Sequence, residues 1–352
     1  MFLAAARGLV AHAFPVLVAQ WSSIGMMVVD TAVLGHFSAV DLAAVAIGGG
    51  LHVSVVFALV GILQAVAPVV ARLHGAGRDS EVAVVLQQGF WLALALCVPG
   101  IAFLWHPDSV LALSTMDAAV DAKVRLYLRI LSFGLPAALC YRTFYAFCNA
   151  LGRPRALMGI GLASLGLHGL LAWGFALAGW LGEPLGAAGC ATSNVVIAWL
   201  ACLSGAVYLH RGALGGRYHP FHSWSRPSWH RWRELLRLGV PMGLSNLVEI
   251  TSFTLISLFI ASLGAATVAG HRIVANLAAL CYMLPLSLAI ATLAAVGQAV
   301  GARDWRRAHA AIGAGLSLAV GSSTLLGILL WFAAEPVLAA YTSDGAVQEV
   351  AF

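Results

Sequence analysis

Charged residues are scarce in this sequence. Aspartate, glutamate, lysine and arginine together make up 9% of its 352 positions, whereas about a quarter is usual in a soluble domain. Hydrophobic residues make up 61%, which excludes a soluble globular protein. The short alternating strands of a membrane barrel are also missing. We therefore expect an all-α, polytopic membrane protein.

Several motifs of enzymes and cofactor-binding proteins are missing as well. The six cysteines form no Cys-x-x-Cys pair, so they predict neither a disulfide framework nor a zinc site. No glycine-rich phosphate loop is present, so ATP-driven transport has no support. We expect a protein that is not an enzyme and that uses no cofactor.

The distribution of the basic residues explains the net charge of +5. Arginines gather at the N terminus and in every second loop, whereas the intervening loops hold most of the loop acids. This positive-inside pattern places the N terminus in the cytoplasm. The positive charge therefore reflects membrane topology, and we expect no nucleic-acid partner. We expect a multi-pass protein of the bacterial cytoplasmic (inner) membrane, in contact with lipid.

Apolar runs long enough to cross a bilayer, about 20 residues each, divide the sequence into spans. The nine runs lie at about 9–33, 42–71, 84–105, 125–149, 156–180, 185–209, 236–262, 265–300 and 309–333. The longest polar stretch separates six spans from three, and its tryptophans and arginines suit a cytoplasmic linker on anionic headgroups. We expect an N-lobe at 1–210, a basic linker at 211–234, and an incomplete C-lobe at 235–352, with spans seven to nine and the start of a tenth.

The two lobes carry an internal repeat. A proline opens a long apolar run at Pro15 and again at Pro241, and each run carries one acid, Asp30 in the first and Glu249 in the second. Repeated sets of membrane segments are how many secondary transporters are built. The second copy stops before it covers what the first copy covers. We therefore expect six plus three spans of an intended six plus six.

Asp30 and Glu249 are the strongest candidates for a function. A charged side chain at the bilayer centre costs at least about 2.5 kcal/mol, so an acid within a span is a functional hypothesis by default. Such a group can exchange a proton for Na⁺ or for an organic cation, and that exchange is the basis of antiport. Asp30 lies near the outer end of its span, where an interfacial role is the alternative, whereas Glu249 lies more than a helical turn inside its span.

Other polar residues within the spans are weaker candidates. We expect them to line a cavity or, alternatively, to hydrogen-bond neighbouring helices to one another. They are Gln20, His168, Asn194, Asn246, Arg272, Asn276 and Tyr282. We expect no metal site beyond Na⁺ at Glu249.

Several segments resemble one family of transporters. Residues 30–48, DTAVLGHFSAVDLAAVAIG, are quite specific, and further matches lie at 68–78, 88–93 and 271–276. Over nearly its whole length, the chain resembles the multidrug and toxic compound extrusion (MATE) family, and its NorM-like branch in particular.

This resemblance implies a fold and a function. Members of the family have two lobes of six helices related by pseudo-twofold symmetry, and they export cationic drugs in exchange for Na⁺ or H⁺. Asp30 matches the family acid of helix one, and Glu249 matches the cation-site glutamate of helix seven. Tyr282 stands where some relatives have a cavity tyrosine. The implied partners are small organic cations, and we expect a monomer.

The sequence also departs from the family pattern. Relatives usually have glutamine where Arg272 stands, and they often have asparagines at the positions of His168 and Ala172. The acid that helix ten contributes would lie beyond Phe352. Three interpretations follow: a cation antiporter impaired by truncation, an inactive remnant of one, or a lipid-linked precursor flippase of the same architecture. A flippase is expected to line its cavity with several arginines.

Overall fold

A computed structural model describes residues 1–35, 37–111, 117–180, 182–211, 218, 221, 224–261 and 265–341. Within these ranges all regular structure is helical, which confirms the all-α fold. The helices follow one another as α1 (Phe2–Gly35), α2 (Ala39–Leu63), α3 (Val66–Gly75), α4 (Asp79–Trp105), α5 (Asp108–Leu111), α6 (Ala118–Ser132), α7 (Leu135–Ala150), α8 (Pro154–Ala176), α9 (Ala187–Arg211), α10 (Trp229–Ala261), α11 (Ala265–Gly301), α12 (Trp305–Phe332) and α13 (Ala334–Tyr341). Each predicted apolar run therefore falls on a helix or on a pair of consecutive helices.

The number of helices able to cross a membrane is close to the predicted nine. Among the described residues, seven helical segments are long and apolar enough, and the bent pair of α6 and α7 makes an eighth. The helix α10, which holds the predicted run 236–262, is 33 residues long and is not among them. The division into six and three spans stays a prediction.

Two of the predicted runs are interrupted. The second run breaks between α2 and α3 at Gln64 and Ala65, and the fourth bends by 51° between α6 and α7. The bend coincides with Gly134, where an added Cβ would lie 3.3 Å from Cα of Val195 on α9. Pro136 suits the first turn of α7 because its missing N–H would have no partner within the helix there.

Apolar side chains fill the interior of the helix bundle and also cover its surface. The largest buried cluster includes Leu63, Leu86, Leu128 and Phe144, which come from α2, α4, α6 and α7. Many large apolar side chains stay exposed on the outer faces of the helices, including Phe332, which is 81% exposed. An apolar surface of this kind suits contact with lipid.

Close helix contacts join α2 and α3 to α10 and α11. A Cβ added at Gly61 would collide with Cα of Gly243, and one added at Gly243 would lie 2.7 Å from the carbonyl oxygen of Ala58. A Cβ added at Gly75 would collide with the carbonyl group of Gln298. Glycine thus lets backbones approach closely, as is common between membrane helices. These contacts link helices of the predicted N-lobe to helices of the predicted C-lobe.

The described part of the linker binds α4. The Gln88 side chain donates to the Arg226 carbonyl at 2.8 Å and accepts from the Ser228 N–H at 2.9 Å. The Trp224 ring stacks on Phe90, with centroids 6.3 Å apart. The linker residues 224–228 are therefore anchored to the protein's own helices, and the predicted contact with headgroups stays a prediction.

Candidate functional site

Asp30 lies inside the helix bundle, near the C-terminal end of α1, with 6% of its surface exposed. Its Oδ1 lies 3.0 Å from Nε2 of His168 on α8. Its Oδ2 accepts a hydrogen bond of 2.9 Å from the side-chain amide of Asn194 on α9. The Asp30 carboxylate therefore connects α1, α8 and α9. Both of its oxygens have a hydrogen-bond partner, as a buried charge requires.

His168 continues this network on its other side. The side chain is fully buried, and Nδ1 lies 2.9 Å from Oγ of Ser193 on α9. The same Oγ lies 3.3 Å from the backbone oxygen of His168. Asn194 donates a second hydrogen bond, of 3.0 Å, to the Cys190 carbonyl. Ser193, His168, Asp30 and Asn194 therefore form one continuous network.

Two further titratable side chains face this network. The Tyr127 phenol on α6 and the Cys190 thiol on α9 are both buried and interact electrostatically with Asp30. Within the described part of the chain, the hydrogen-bond partners of Asp30 include no arginine or lysine. A negative charge on Asp30 is thus not neutralised by a permanent cation among these described hydrogen-bond partners.

Ser193 is the site residue that the sequence analysis missed. A single serine within a membrane span carries little signal, because serines also pack between helices. The spacing offers a better signal: Cys190, Ser193 and Asn194 stand at i, i+3 and i+4, which places them on one face of α9. That face meets Asp30 and His168.

The second predicted acid lies in a different setting. Glu249 on α10 is exposed, and its charge acts on the phenol of Tyr282 on α11, which is 48% exposed. Asn246, one turn before Glu249, lies with Nδ2 3.4 Å from the Phe57 carbonyl of α2, which is a long hydrogen bond. Glu249 and Tyr282 therefore form a second, more open group.

Gln20 and Asn276 join neither group in the described part of the chain. Nε2 of Gln20 on α1 is buried and has no hydrogen-bond partner among the described residues. Asn276 is exposed on α11. The side chain of Arg272 lies outside the described residues. Across the described ranges, no cluster of three or more histidine, cysteine, aspartate or glutamate side chains could hold a metal ion, and Na⁺ at Glu249 stays a prediction.

Two cavities lie away from the buried acid. One of about 360 Å³ lies between α1, α11 and α12, and its polar lining includes His12, Gln298 and Arg307. Another of about 300 Å³ has an almost wholly apolar lining from α2 and α4, together with Leu247 of α10. Asp30 and Glu249 line neither of them.

Sequence comparison finds relatives over nearly the whole chain. The MatE family model matches residues 15–173 and 241–351. A protein of Aromatoleum aromaticum named "Probable multidrug resistance protein NorM" is 51% identical over 340 residues, which cover 97% of this chain and 73% of that protein. The "Multidrug resistance protein MdtK" of Photorhabdus laumondii is 31% identical over 352 residues, which cover 99% of this chain and 77% of that protein.

Solved structures share the fold. The MATE transporter VcmN of Vibrio cholerae, in its bent form, matches with a TM-score of 0.85 at 18% identity, over 99% of this chain and 78% of that chain. A eukaryotic MATE transporter matches with a TM-score of 0.87 at 20% identity, over 99% of this chain and 78% of that chain. At these identities the likeness shows the fold alone, which is that of a MATE transporter.

Proposed function

Because the chain belongs to the multidrug and toxic compound extrusion family, we propose that it is a secondary active transporter that exports small organic cations in exchange for Na⁺ or H⁺. The family model and the relatives named as multidrug resistance proteins support multidrug efflux by a multi-pass inner-membrane protein, and not an enzymatic activity. The cytoplasmic N terminus, the monomeric state and the contact with lipid headgroups are parts of this proposal.

The observation that carries the proposal is the buried carboxylate of Asp30. Its described hydrogen-bond partners include a histidine and an asparagine, but no permanent cation. A charge in a region of low dielectric interacts strongly with other charges, so Asp30 attracts either a proton or a cationic substrate. Competition between the two for one carboxylate is what antiport requires. A lipid pyrophosphate would instead need cations at the site.

Glu249 is the second cation contact in this proposal. It is exposed on α10, and its charge acts on Tyr282. An aromatic face near a carboxylate suits an organic cation, because the ring adds a cation–π interaction. Na⁺ binding at Glu249 is the alternative use of the same charge.

Ethidium accumulation in an efflux-deficient bacterium tests the proposal. Cells that express the chain should accumulate less ethidium than cells with an empty vector, and an uncoupler or the removal of Na⁺ should abolish the difference. Asp30→Asn and Glu249→Gln should each raise accumulation toward the empty-vector level. Wild-type efflux by both variants would overturn the proposal.

A further inference from the structure

The hydrogen atoms of the Asp30 network can be assigned from its donors and acceptors. Nδ2 of Asn194 contacts two oxygens, Oδ2 of Asp30 and the Cys190 carbonyl, which fixes the orientation of the amide. An ionised Asp30 only accepts hydrogen bonds, so Nε2 of His168 carries a hydrogen. In a neutral imidazole Nδ1 then has a free lone pair, and the Ser193 hydroxyl donates to it.

The same network can hold one more proton without moving a heavy atom. When Nδ1 of His168 is protonated, it donates to Oγ of Ser193 over the same 2.9 Å. The Ser193 hydroxyl then rotates to donate to the backbone oxygen of His168, 3.3 Å away. A serine hydroxyl can both donate and accept. Every buried polar group of the network therefore keeps a partner in both states.

Among the described hydrogen-bond partners of Asp30, only His168 leads to an acceptor for an added proton. A proton on Oδ2 of Asp30 finds no acceptor in the Asn194 amide, because Nδ2 is itself a donor. A proton on Oδ1 requires Nε2 of His168 to become the acceptor, and the hydrogen of the imidazole then lies on Nδ1. The proton between Oδ1 of Asp30 and Nε2 of His168 can belong to the carboxylate or to the imidazole. In both cases the additional hydrogen lies on Nδ1 of His168 and faces Ser193.

The charge of the pair changes with this proton. With neutral His168 the pair carries one negative charge, which can balance an organic cation. With the added proton the pair has no net charge, and its attraction for a cation is lost. The N–H groups of His168 and Asn194 occupy one lone pair on each oxygen of Asp30, and among the described residues Asp30 belongs to no cluster of acids, histidines or cysteines that could hold a metal ion. Direct coordination of Na⁺ would therefore lack ligands, whereas an organic cation needs only the net negative charge.

Other titratable groups near the pair come from three helices. Tyr127 on α6 and Cys190 on α9 interact with Asp30. Asp41 on α2 interacts with Cys190 and is itself paired with Lys123. None of these groups lies between His168 and Ser193. The Asp30–His168 pair is thus the group in this network arranged to take up a proton.

We propose that His168 is a coupling residue, whose Nδ1 receives the proton that the Asp30 site exchanges for an organic cation, and that this site is selective for H⁺ over Na⁺. The proposal rests on the proposed function and names the coupling ion of the buried site. The step forms one N–H bond at Nδ1 when the cation leaves, and it breaks that bond when a cation binds. The proton passes to and from water.

Ethidium binding to the purified full chain in lipid nanodiscs tests this role. Fluorescence anisotropy gives the affinity from pH 5.5 to 8.5, in sodium chloride and in choline chloride of equal ionic strength. We expect the wild-type affinity to weaken by up to about tenfold per pH unit on the acidic side, the limit for one competing proton. Replacing choline by Na⁺ should change the ethidium affinity by less than about twofold. A competing effect of Na⁺ that persists in Glu249→Gln would overturn the selectivity of the Asp30 site.

Two variants separate a coupling role from a structural one. His168→Gln retains an amide donor for Asp30 but has no nitrogen that takes up a proton. Whatever the affinity of this variant at pH 8.5, its dependence on pH should be lost between pH 5.5 and 8.5. Ser193→Ala removes the acceptor for the hydrogen on Nδ1 of His168. The affinity of this variant for ethidium should therefore begin to weaken at a lower pH than that of the wild type. Wild-type pH profiles in both variants would overturn the proposal.

A direct measurement distinguishes failure of this inference from failure of the proposed function. The ¹⁵N NMR signals of His168, assigned by their loss in His168→Gln, should titrate in the wild type, and Asp30→Asn should shift that titration. Absence of ethidium binding by the wild type would contradict the proposed function, whereas binding by a protein whose His168 signals stay constant would contradict the coupling role alone.

Discussion

The ammonium group of Lys123 on α6 lies 2.5 Å from Oδ2 of Asp41 on α2. The other oxygen of Asp41 accepts a hydrogen bond of 3.0 Å from the backbone N–H of Ala187, the first residue of α9. Asp41 is 2% exposed, whereas the Lys123 side chain is 42% exposed. One carboxylate in the first turn of α2 thus fixes the positions of two other helices. The position also suits the positive end of the α2 dipole.

Asp41→Asn should destabilise the fold. The asparagine keeps the shape of the side chain but removes the charge that pairs with Lys123. Breaking a buried pair costs about 3–5 kcal/mol, and the exposure of Lys123 reduces this to about 1–2 kcal/mol. Thermal unfolding in detergent should show a lower Tm. As a control, Asp108→Asn breaks an exposed pair with Arg125 and should change the Tm much less. An equal fall in Tm for Asp41→Asn and Asp108→Asn would contradict the stabilising role of the Asp41–Lys123 pair.

Gly61→Ala should weaken the packing of α2 against α10. An added Cβ would collide with the Gly243 backbone, and overpacking of this kind costs about 1–3 kcal/mol. Gly50 is a matched control on the same helix, because a Cβ there meets nothing within 4 Å. Gly50→Ala should leave the Tm unchanged or raise it, since alanine favours a helix by up to about 1 kcal/mol. A Tm that falls equally in both variants would show that the close contact has no special role.

Gln88→Ala should release the linker from α4. The substitution removes the side chain that contacts the backbone of Arg226 and of Ser228, and each buried group left unpaired costs about 1–3 kcal/mol. Chymotrypsin should then cut after Trp224 faster than in the wild type. Gln64→Ala, at an exposed position in the turn after α2, is the control. An unchanged rate of cleavage in Gln88→Ala would contradict the anchoring of the linker.

Much of the fold follows from hydrophobicity alone. The nine apolar runs coincide with helices because a backbone in lipid must satisfy its own hydrogen bonds. The breaks at Gln64 and at Gly134 are not visible as gaps in these runs, because both lie within continuous apolar sequence. Helix breaks of this kind depend on packing, as the contact between Gly134 and Val195 illustrates.

The candidate site was predictable only in part. Asp30 stands out as a carboxylate within a span, and His168 and Asn194 are polar residues in other spans. Their meeting is a tertiary contact across 138 and 164 residues, and a single sequence carries no information on such contacts. The repeat treats Asp30 and Glu249 as equivalent, whereas the structure buries the first and exposes the second. Burial depends on neighbouring helices, not on the local sequence.

Proton release on substrate binding is the most direct test of the account. Ethidium is added to the purified protein in weak buffer, near the pH at which its affinity changes, and a pH dye records the protons set free. Exchange at the buried carboxylate predicts up to one proton per bound ethidium in the wild type and about none in Asp30→Asn. No release by a wild type that binds ethidium, or equal release by Asp30→Asn, would contradict exchange at the buried carboxylate.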